Sequence, residues 1–395
     1  MDLGHTKRSK ELEKRLWLFM NEWVLPAEEK LKRNSSYDEV LEVLRAEAKG
    51  LGLWNLFWPD EEHGAGLTNL EYAPLAEITG RSPFLAPPAL NCAAPDTGNM
   101  EILAAFGTDE QKARWLGPLL DGNIRSCFTM TEPAVASSDA SNIETTIERD
   151  GDEYVITGRK WWSTGALGKN CTVAILMGVT DPSVGRHKRH TMVLVPMDSP
   201  RLKVLRGLTV FGYDEAEQGG HAEISFEGVR VPVTNCLGEE GSGFAIAQAR
   251  LGPGRIHHCM RAIGMAERAL ELMCRRVRSR NAFGKSLADQ GVIQTWIADA
   301  RIEIEQARLL ILKSAWLIDT VGVKRARVEI SAIKVAAPAV ATRVIDWAIQ
   351  AYGGAGLSSD TPLAALYAQA RALHIVDGPD EVHRMSVARR ELSRY

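Results

Sequence analysis

Residues 144–157 read ETTIERDGDEYVIT and predict a β-hairpin near the middle of the chain. Apolar and polar residues alternate on both sides of residues 149–152 (RDGD), and a polar turn containing glycine within such alternation is typical of a hairpin. Further short apolar runs predict strands at residues 127–130, 173–178, 191–196, 202–204 and 222–226. No helical pattern separates these strands, which favours a β-barrel or sandwich over βαβ units.

Helical periodicity lies on both sides of this β region. Before it, apolar residues at steps of three and four predict helices at residues 8–33, 36–51, 69–80, 93–106 and 109–120. After it, the same pattern predicts helices at residues 244–251, 256–280, 290–321, 323–352 and 362–373. We therefore expect an α+β protein with an N-terminal helical domain (residues 1–125), a central β-barrel or sandwich domain (126–238) and a C-terminal helical bundle (239–395).

Composition excludes several classes of protein. The chain has 395 residues, 45% hydrophobic and 25% charged, as in ordinary globular proteins, and it is long enough for two or three packed regions. A net charge of −3 provides no field for nucleic acid, and no apolar run is long enough for a signal peptide or a membrane span. The six cysteines form no C-x-x-C pair. We read them as reduced thiols of a cytoplasmic protein rather than metal ligands.

One acidic residue, Asp377, stands between the apolar pair Ile375–Val376 and the residues Gly378 and Pro379. Aspartate is a favoured N-cap, so it could cap the helix that begins near Pro379. Alternatively, a carboxylate in a dry pocket has a raised pKa and is a better proton acceptor near neutral pH. Local sequence leaves both interpretations open.

Three motifs have the composition of a ligand site. In MTEPAVASSD (residues 130–139), small residues allow close approach to a flat ligand, and Thr131 and Ser138 could donate hydrogen bonds to a heteroaromatic ring. In GRKWWSTGA (158–166), Trp161 and Trp162 should point to opposite faces of a strand, so at most one enters a given pocket. The basic segment RNAFGK (280–285) could bind a pyrophosphate. Each motif also has an interpretation without a ligand. The first could be a plain loop, the two tryptophans of the second could belong to the core, and the third could be a solvated helix end.

Other chemistries lack their signatures. No G-x-G-x-x-G follows a strand, and GEEGSGF (residues 238–244) resembles a helix start. His257 and His258 are consecutive residues of a predicted helix, so they cannot both bind one metal ion. No G-x-S-x-G elbow occurs, which argues against a hydrolase. We expect no metal site.

Taken together, these segments resemble the acyl-CoA dehydrogenase family over nearly the whole chain. The family's order and spacing are matched by GTDEQKARWLGPLLDG (residues 107–122), MTEP, GRKWWST, RNAFGK, QAYGGAG (350–356) and the acidic-glycine turn at residue 377. Within the family, LGPGRIHHCMRAIG (251–264) and DGPDEVH (377–383) are most similar to the subgroup of acyl-CoA dehydrogenase family members 10 and 11.

The resemblance implies an N-terminal helical domain, a central β-domain, a C-terminal four-helix bundle, bound FAD, and a homodimer or homotetramer. It assigns to the flavin ring Met130, Thr131, Ser138, Trp162, Ser163 and Thr164. It assigns to the FAD of a neighbouring subunit Arg280, Phe283 and, less securely, Gln290. It places Gln350 and Gly354 at the pyrophosphate, and Asp380 and Glu381 at the ADP portion.

The resemblance also implies a substrate site, with departures from the family pattern. Arg255 matches an arginine near the acyl-CoA, but Gly252 replaces the aspartate of the family's D-x-x-R pattern. The usual base is a Glu followed by Gly and Thr; here Asp377, Gly378 and Pro379 stand in that turn. Some members place the base just before the arginine, where this chain has Gly254. Asp377 is therefore the implied base, with Gly378 and Ser138 beside the substrate; an extra loop residue leaves Ser137 as an alternative to Ser138.

The implied reaction is α,β-dehydrogenation of an acyl-CoA thioester. Asp377 would remove the α-proton, the β-hydride would pass to FAD, and trans-2-enoyl-CoA would form, as in fatty acid β-oxidation. The family's electron acceptor is an electron-transfer flavoprotein. Alternatives are a flavin oxidase resembling nitroalkane oxidase, which also uses an aspartate base, a DNA-binding flavoprotein relative, which the net charge of −3 disfavours, and a non-catalytic helical partner protein. Acyl chain length and substituents are not indicated.

Overall fold

The computed structural model describes residues 3–4, 6–31 and 36–395, and the side chains of all of these except residues 251–253. Residues 32 and 33, the predicted end of the first helix, lie outside the described residues. The chain forms two compact units. The first, here called the helical unit, comprises Met1–Leu90 and Arg255–Tyr395, and the second, the sheet unit, comprises Asn91–Gly254.

The helices are, in chain order, α1 Lys7–Phe19, α2 Leu25–Leu31, α3 Tyr37–Gly50, α4 Asn69–Gly80, α5 Ala86–Ala89, α6 Asp96–Phe106, α7 Asp109–Gln111, α8 Gly117–Asp121, α9 Gly243–Arg278, α10 Gly291–Val321, α11 Arg327–Tyr352, α12 Gly354–Leu357, α13 Leu363–Ala372 and α14 Asp380–Leu392. Within the described residues, no helix combines the length and apolar composition needed to cross a bilayer.

The strands are β1 Arg125–Thr129, β2 Thr146–Asp150, β3 Glu153–Thr164, β4 Cys171–Val179, β5 His190–Pro196, β6 Leu202–Leu208, β7 His221–Pro232, β8 Cys236–Leu237, β9 Asn281–Ala282 and β10 Lys285–Ser286. The described residues of the sheet unit form one mixed sheet in the order β6-β7-β3-β2-β4-β5-β8, with β1 parallel to β4. The hairpin predicted at residues 144–157 is confirmed as β2 and β3, which turn at Gly151 with φ of +62°.

The core of the sheet unit comes from the alternating inward positions of these strands. They include Ile147 on β2, Ile156 on β3 and Phe226 on β7, all within 1% of complete burial. At about 25 cal/mol per Å² of apolar area removed from water, such rows supply the main driving force for the sheet. The prediction that strands follow one another without intervening helices is confirmed.

In the helical unit, α11 packs against α10, α13 and α14, and α4 packs against α10. Helix α4 also crosses α9 at very short distance, because glycines stand at the crossing on both helices. A Cβ added at Gly264 would overlap the backbone oxygen of Glu77, and one at Gly80 would overlap the backbone oxygen of Arg261. The backbones can approach this closely only without side chains at these two positions.

Several predictions of element extent are wrong, including the helix expected from residue 323, which begins at Arg327. Helices expected at residues 244–251 and 256–280 are one helix, α9, which continues through the Gly-Pro-Gly sequence at 252–254. The helix expected from residue 93 begins at Asp96. Strand β7, expected over residues 222–226, extends to Pro232 because it pairs with β3 along most of its length.

Candidate active site

Asp377 lies in the turn that joins α13 to α14. The turn requires left-handed backbone at two consecutive residues, with φ of +55° at Asp377 and +99° at Gly378. The carbonyl of Asp377 accepts a hydrogen bond from Arg255 Nε (3.1 Å) and one from His383 Nε2 (3.2 Å). These two donors, from α9 and α14, hold the strained turn in place.

The interpretation of Asp377 as a helix cap is wrong. The N-cap of α14 is Pro379, whose extended backbone leads into the helix, and Asp380 is the first helical residue. The Asp377 carboxylate instead extends toward α9, where its Oδ2 lies 3.5 Å from His258 Nε2. Its side chain is 19% exposed, which leaves one edge accessible.

Two cations, Arg255 and Lys334, interact electrostatically with Asp377. Burial lowers the pKa of Arg255, and the negative charge of Asp377 partly opposes that shift. Burial also lowers the pKa of Lys334, whose Nζ donates to the carbonyl of Leu373 at the start of the turn. Burial and the charge of Arg255 lower the pKa of His383 to about 4. His383 is therefore neutral at pH 7 and donates from Nε2 to the Asp377 carbonyl.

A second set of polar contacts also supports this turn. His374 Nε2 lies 3.0 Å from Thr342 Oγ1 on α11, and His374 Nδ1 lies 2.7 Å from Asp380 Oδ2. Asp380 is buried, and its Oδ1 has no hydrogen-bond partner among the described residues. The resemblance placed Asp380 at the ADP portion of FAD, and that role stays a prediction.

In the sheet unit, the predicted ring-binding residues of β3 surround a β-bulge. Lys160 pairs with Ile224 and Ser163 with Ala222, so Trp161 and Trp162 together oppose a single residue of β7. Trp162 has φ of +51°, and the two ring centroids are 6.3 Å apart. The prediction that these rings point to opposite faces is wrong, because the bulge interrupts the alternation of the strand.

The bulge leaves an exposed ring beside two hydroxyl groups. Trp162 is 41% exposed, whereas Ser163 is buried and its Oγ has no hydrogen-bond partner within the described part of the chain. Thr164 Oγ1 lies 2.9 Å from His221 Nδ1, and His221 Nε2 lies 3.3 Å from Glu215 Oε2.

The loop after β1 is attached to the same strand. Thr131 Oγ1 donates to the carbonyl of Trp161 (2.6 Å), and Lys160 Nζ donates to the carbonyl of Met130 (2.9 Å) and to Glu132 Oε1 (2.7 Å). The structure thus brings Met130 and Thr131 together with the tryptophan pair. These residues belong to two motifs about 30 positions apart in the sequence.

The two candidate serines of this loop differ in their surroundings. Ser137 Oγ accepts from the backbone N–H of Glu132 (2.9 Å), which closes the loop on itself, and Ser138 is exposed. Next to this loop, a cavity of about 690 Å³ is lined by residues that include Val135, Asn142 and Arg189. The choice between Ser137 and Ser138 as the ligand contact stays a prediction.

Most of the remaining predicted residues lie on the helical unit. Phe283 is fully exposed at the tip of the β9–β10 hairpin, with φ of +52°. Gln290 is half-buried at the N-cap of α10. Exposed positions are occupied by Arg280, Gln350, Gly354 and Glu381. The surroundings of Gly252 lie outside the described residues. The roles of all these residues stay predictions.

Sequence reasoning missed several residues that lie around Asp377 and around Thr164. His258 was considered only as a metal ligand, although its i, i+3 spacing from Arg255 places both on one face of α9. His383 and Lys334 had no local signal, and His221 lies 57 residues from Thr164, so only the β3–β7 register brings them together.

Comparisons with known proteins identify the family of this chain. Protein-family models match residues 6–123 (acyl-CoA dehydrogenase, N-terminal domain), 127–229 (middle domain) and 241–392 (C-terminal domain). The Mycobacterium tuberculosis protein named Probable acyl-CoA dehydrogenase FadE2 is 58% identical over 100% of this chain and 98% of its own length. The chain belongs to the acyl-CoA dehydrogenase family. It is thus a flavin-dependent oxidoreductase, and its cofactor is FAD.

Further relatives confirm the subgroup and the fold. Acyl-CoA dehydrogenase family member 11 of Homo sapiens is 52% identical over 98% of this chain, and member 10 of Mus musculus is 55% identical over 98%. The chain spans only 50% and 37% of the lengths of these two proteins. Butyryl-CoA dehydrogenase from Megasphaera elsdenii superposes with a TM-score of 0.84 at 28% identity, over 99% of this chain and 100% of that one.

The residues of the sheet unit fit the family's cofactor. An isoalloxazine ring offers a flat aromatic face and a polar edge, and the bulge presents the exposed face of Trp162 next to a buried, unpartnered Ser163 Oγ and the Thr164 hydroxyl. A buried hydroxyl without a partner is costly, so a ligand that supplies one would be stabilised there. Trp162, Ser163 and Thr164 would hold the ring by stacking and hydrogen bonding.

Proposed function

We propose that this acyl-CoA dehydrogenase family member oxidises an acyl-CoA thioester to trans-2-enoyl-CoA, with Asp377 as the catalytic base. The observation that carries the proposal is the position of Asp377. Its carboxylate is mostly buried on a strained turn and lies 3.5 Å from His258 Nε2, while Arg255 and His383 bind the backbone carbonyl of the same residue. A carboxylate fixed in this way can take a proton in one geometry, which efficient general-base catalysis requires.

The chain's own residues would perform the proton transfer. The Asp377 carboxylate would accept the α-proton of the thioester. Arg255 and His383 would keep the turn from moving as charge shifts, because both bind the carbonyl of the base itself. Bound FAD supplies the acceptor for the two electrons that leave the β-carbon. Arg255 thus supports the base in addition to any contact with substrate.

Aspartate shortens the base relative to glutamate by roughly one C–C bond, about 1.5 Å. A misplacement of about 1 Å can cost about 100-fold in rate, so the turn must compensate for the shorter side chain. Two features of this chain would fix the position of the shorter acid. They are the left-handed backbone at Asp377 and the hydrogen bonds that Arg255 and His383 donate to its carbonyl.

The partners follow as parts of the same proposal. One structural relative, 27% identical, comes from work on the electron transferring flavoprotein of Acidaminococcus fermentans, which supports an electron-transfer flavoprotein as acceptor. We also propose a homodimer or homotetramer, in which the fully exposed Phe283 at the hairpin tip would contact a neighbouring subunit. Six free cysteines support a cytoplasmic location. We infer a role in fatty acid β-oxidation and a division into domains at residues 1–125, 126–238 and 239–395, which the three family-model ranges support.

The test is a panel of acyl-CoA esters of increasing chain length and branching, assayed with FAD-loaded protein and an artificial electron acceptor. Acceptor reduction with formation of the 2-enoyl product is the expected result, and the preferred ester gives the substrate. Oxygen consumption without an added acceptor would instead support a flavin oxidase. A chain that stays colourless after reconstitution with FAD would contradict both and support a non-catalytic partner protein.

A further inference from the structure

A carboxylate–imidazole–hydroxyl chain ends at Thr164 in the sheet unit. Glu215 Oε2 lies 3.3 Å from His221 Nε2, and His221 Nδ1 lies 2.9 Å from Thr164 Oγ1. The side chains of Glu215 and His221 are 18% and 16% exposed. The proposed reaction assigns no role to either residue, although Thr164 belongs to the motif that fits the flavin ring.

The imidazole is held in a single orientation. Thr164 on β3 is the direct pairing partner of His221 on β7, and the Trp162 ring lies 5.4 Å from the imidazole, centroid to centroid. Glu215 contacts the far nitrogen of the imidazole. Contacts on three sides leave His221 little freedom to rotate, so its two nitrogens keep their separate partners.

The carboxylate selects the tautomer of this histidine. An ionised carboxylate only accepts hydrogen bonds, so the 3.3 Å contact favours the tautomer of His221 that carries its hydrogen on Nε2, facing Glu215. In the neutral imidazole, Nδ1 then has a lone pair and only accepts. In that neutral tautomer Thr164 donates its single hydroxyl hydrogen to Nδ1, and its oxygen retains only lone pairs for any other partner.

We propose that the Glu215–His221 pair makes Thr164 a hydrogen-bond acceptor toward the flavin and thereby favours the reduced form of the cofactor. This rests on the proposed function, since it takes Thr164 to be beside FAD. A flavin ring carries additional N–H groups when reduced and presents nitrogen lone pairs when oxidised. An acceptor hydroxyl attracts the N–H groups of the reduced ring and repels the nitrogen lone pairs of the oxidised ring. His221 and Glu215 are positioning residues that act through Thr164.

The test compares midpoint potentials of the FAD-loaded wild type with those of Glu215→Gln and His221→Phe. Phenylalanine keeps a flat ring against Trp162 but removes Nδ1, and glutamine can donate as well as accept, so it no longer selects the tautomer. In both variants the hydroxyl hydrogen of Thr164 can turn toward the flavin ring. We expect the preference for reduced over oxidised FAD to fall about tenfold, which is about 30 mV for a two-electron couple. Glu227→Gln, an exposed change on the same strand, should leave the potential unchanged.

A background variant separates a specific effect from general disruption. If His221 acts through Thr164, then His221→Phe should cause no further shift when Thr164 is already valine. A full additional shift in that background, or wild-type potentials in both Glu215→Gln and His221→Phe, would overturn the inference while leaving the proposed function intact. A wild type that binds FAD but oxidises no acyl-CoA would overturn the proposed function, and the potentials would still decide the role of His221. A wild type that binds no FAD would overturn both.

Discussion

At the scale of single residues, the contact between Asp377 and His258 has the most direct consequence for activity. The imidazole Nε2 lies 3.5 Å from Oδ2, and both side chains are about one-fifth exposed. A neighbour at this distance restricts the rotation of the short aspartate side chain. Because a reacting group displaced by about 1 Å can lose about 100-fold in rate, His258 should matter although it need not touch the substrate.

We therefore predict that His258→Gln lowers kcat for acyl-CoA oxidation by about tenfold or more without loss of bound FAD. Steady-state kinetics together with the flavin absorbance of the purified variant measure both quantities. His63→Gln is a matched control, because His63 Nδ1 also lies 3.5 Å from an aspartate oxygen, that of Asp60, but on an exposed loop. Equal effects of the two substitutions would show that the Asp377 contact has no special role.

His383 should make the folded state sensitive to acid. Its pKa is lowered to about 4 by burial and by Arg255, whereas an unperturbed histidine has a pKa near 6.5. Between these values the unfolded chain binds a proton that the folded chain does not, so stability present above pH 6.5 is lost as pH falls toward 4. At 1.36 kcal/mol per pKa unit, the loss is about 3 kcal/mol.

Urea unfolding of the wild type and of His383→Asn at pH 7 and pH 5 measures this effect. The wild type should lose more unfolding free energy between the two pH values than the variant, which has no titrating group at this position. Identical losses would place the acid sensitivity elsewhere.

Sequence reasoning at this scale found the acid but not its surroundings. Asp377 could be singled out because a lone carboxylate between apolar residues and a glycine is unusual. Its partners Arg255, His258 and His383 come from two other helices, and no local pattern states which side chains of distant helices converge. The local argument for a helix cap failed because Pro379 can take the N-cap position by backbone conformation alone.

At the scale of elements, the buried pair Lys160–Glu132 fastens the loop after β1 to strand β3. Lys160 is fully buried, and burial lowers its pKa to about 8 while the charge of Glu132 opposes the shift. Glu132 also accepts from the backbone N–H groups of Glu144 and Thr145 (2.8 and 2.9 Å). One carboxylate thus ties both ends of the loop that contains Ser138.

Lys160→Met should lower the unfolding free energy of the sheet unit by about 3–5 kcal/mol, because it leaves Glu132 buried without its counter-ion. Lys203→Met is the control: it breaks an exposed pair with Glu227 in the same unit and should cost at most about 1 kcal/mol. Denaturant titration followed by far-UV circular dichroism compares them. Similar values for both would mean that Glu132 is adequately solvated without Lys160.

The crossing of α4 and α9 gives a second prediction for an element. In Gly264→Ala the new methyl group would overlap the backbone oxygen of Glu77, and backbone cannot move aside as a flexible side chain can. Overpacking of a tight contact costs about 1–3 kcal/mol or more, so we expect a clear drop in thermal stability.

Gly291→Ala, in the first turn of α10, is the comparison for this substitution. Nothing lies within 4 Å of the added Cβ there, and alanine is the better helix former. It should be neutral or slightly stabilising. If Gly264→Ala melts at the same temperature as Gly291→Ala, the helices can separate without cost and the close crossing is unimportant.

Periodicity predicted which elements exist better than where they end. The hairpin at residues 144–157 was found because alternation and a polar turn agree. The bulge at Trp161 and Trp162 could not be predicted in this way, because it depends on the pairing of β3 with β7, about 60 residues away. The continuous helix α9 was divided in error because glycine and proline at 252–254 were read as a break, although neighbouring contacts can outweigh such propensities.

At the scale of the whole molecule, the order of helices, strands and helices was enough to predict the fold class. Six motifs at the family's spacing then indicated the acyl-CoA dehydrogenase family, which the comparisons confirm. Substrate choice could not be reached in this way, because chain length and branching depend on the depth of a pocket and not on the spacing of motifs. At this scale the proposed reaction depends on one group, the Asp377 carboxylate.

The most direct test is anaerobic rapid mixing of the preferred acyl-CoA with the FAD-loaded wild type or with FAD-loaded Asp377→Asn. Each protein starts with its flavin oxidised, and the reaction is followed at the flavin absorbance band. Asparagine keeps the size of the side chain and removes its basicity. We predict that the wild-type flavin bleaches rapidly, whereas the variant retains its FAD and stays oxidised. Rapid bleaching of Asp377→Asn at the wild-type rate would contradict the assignment of Asp377 as the base.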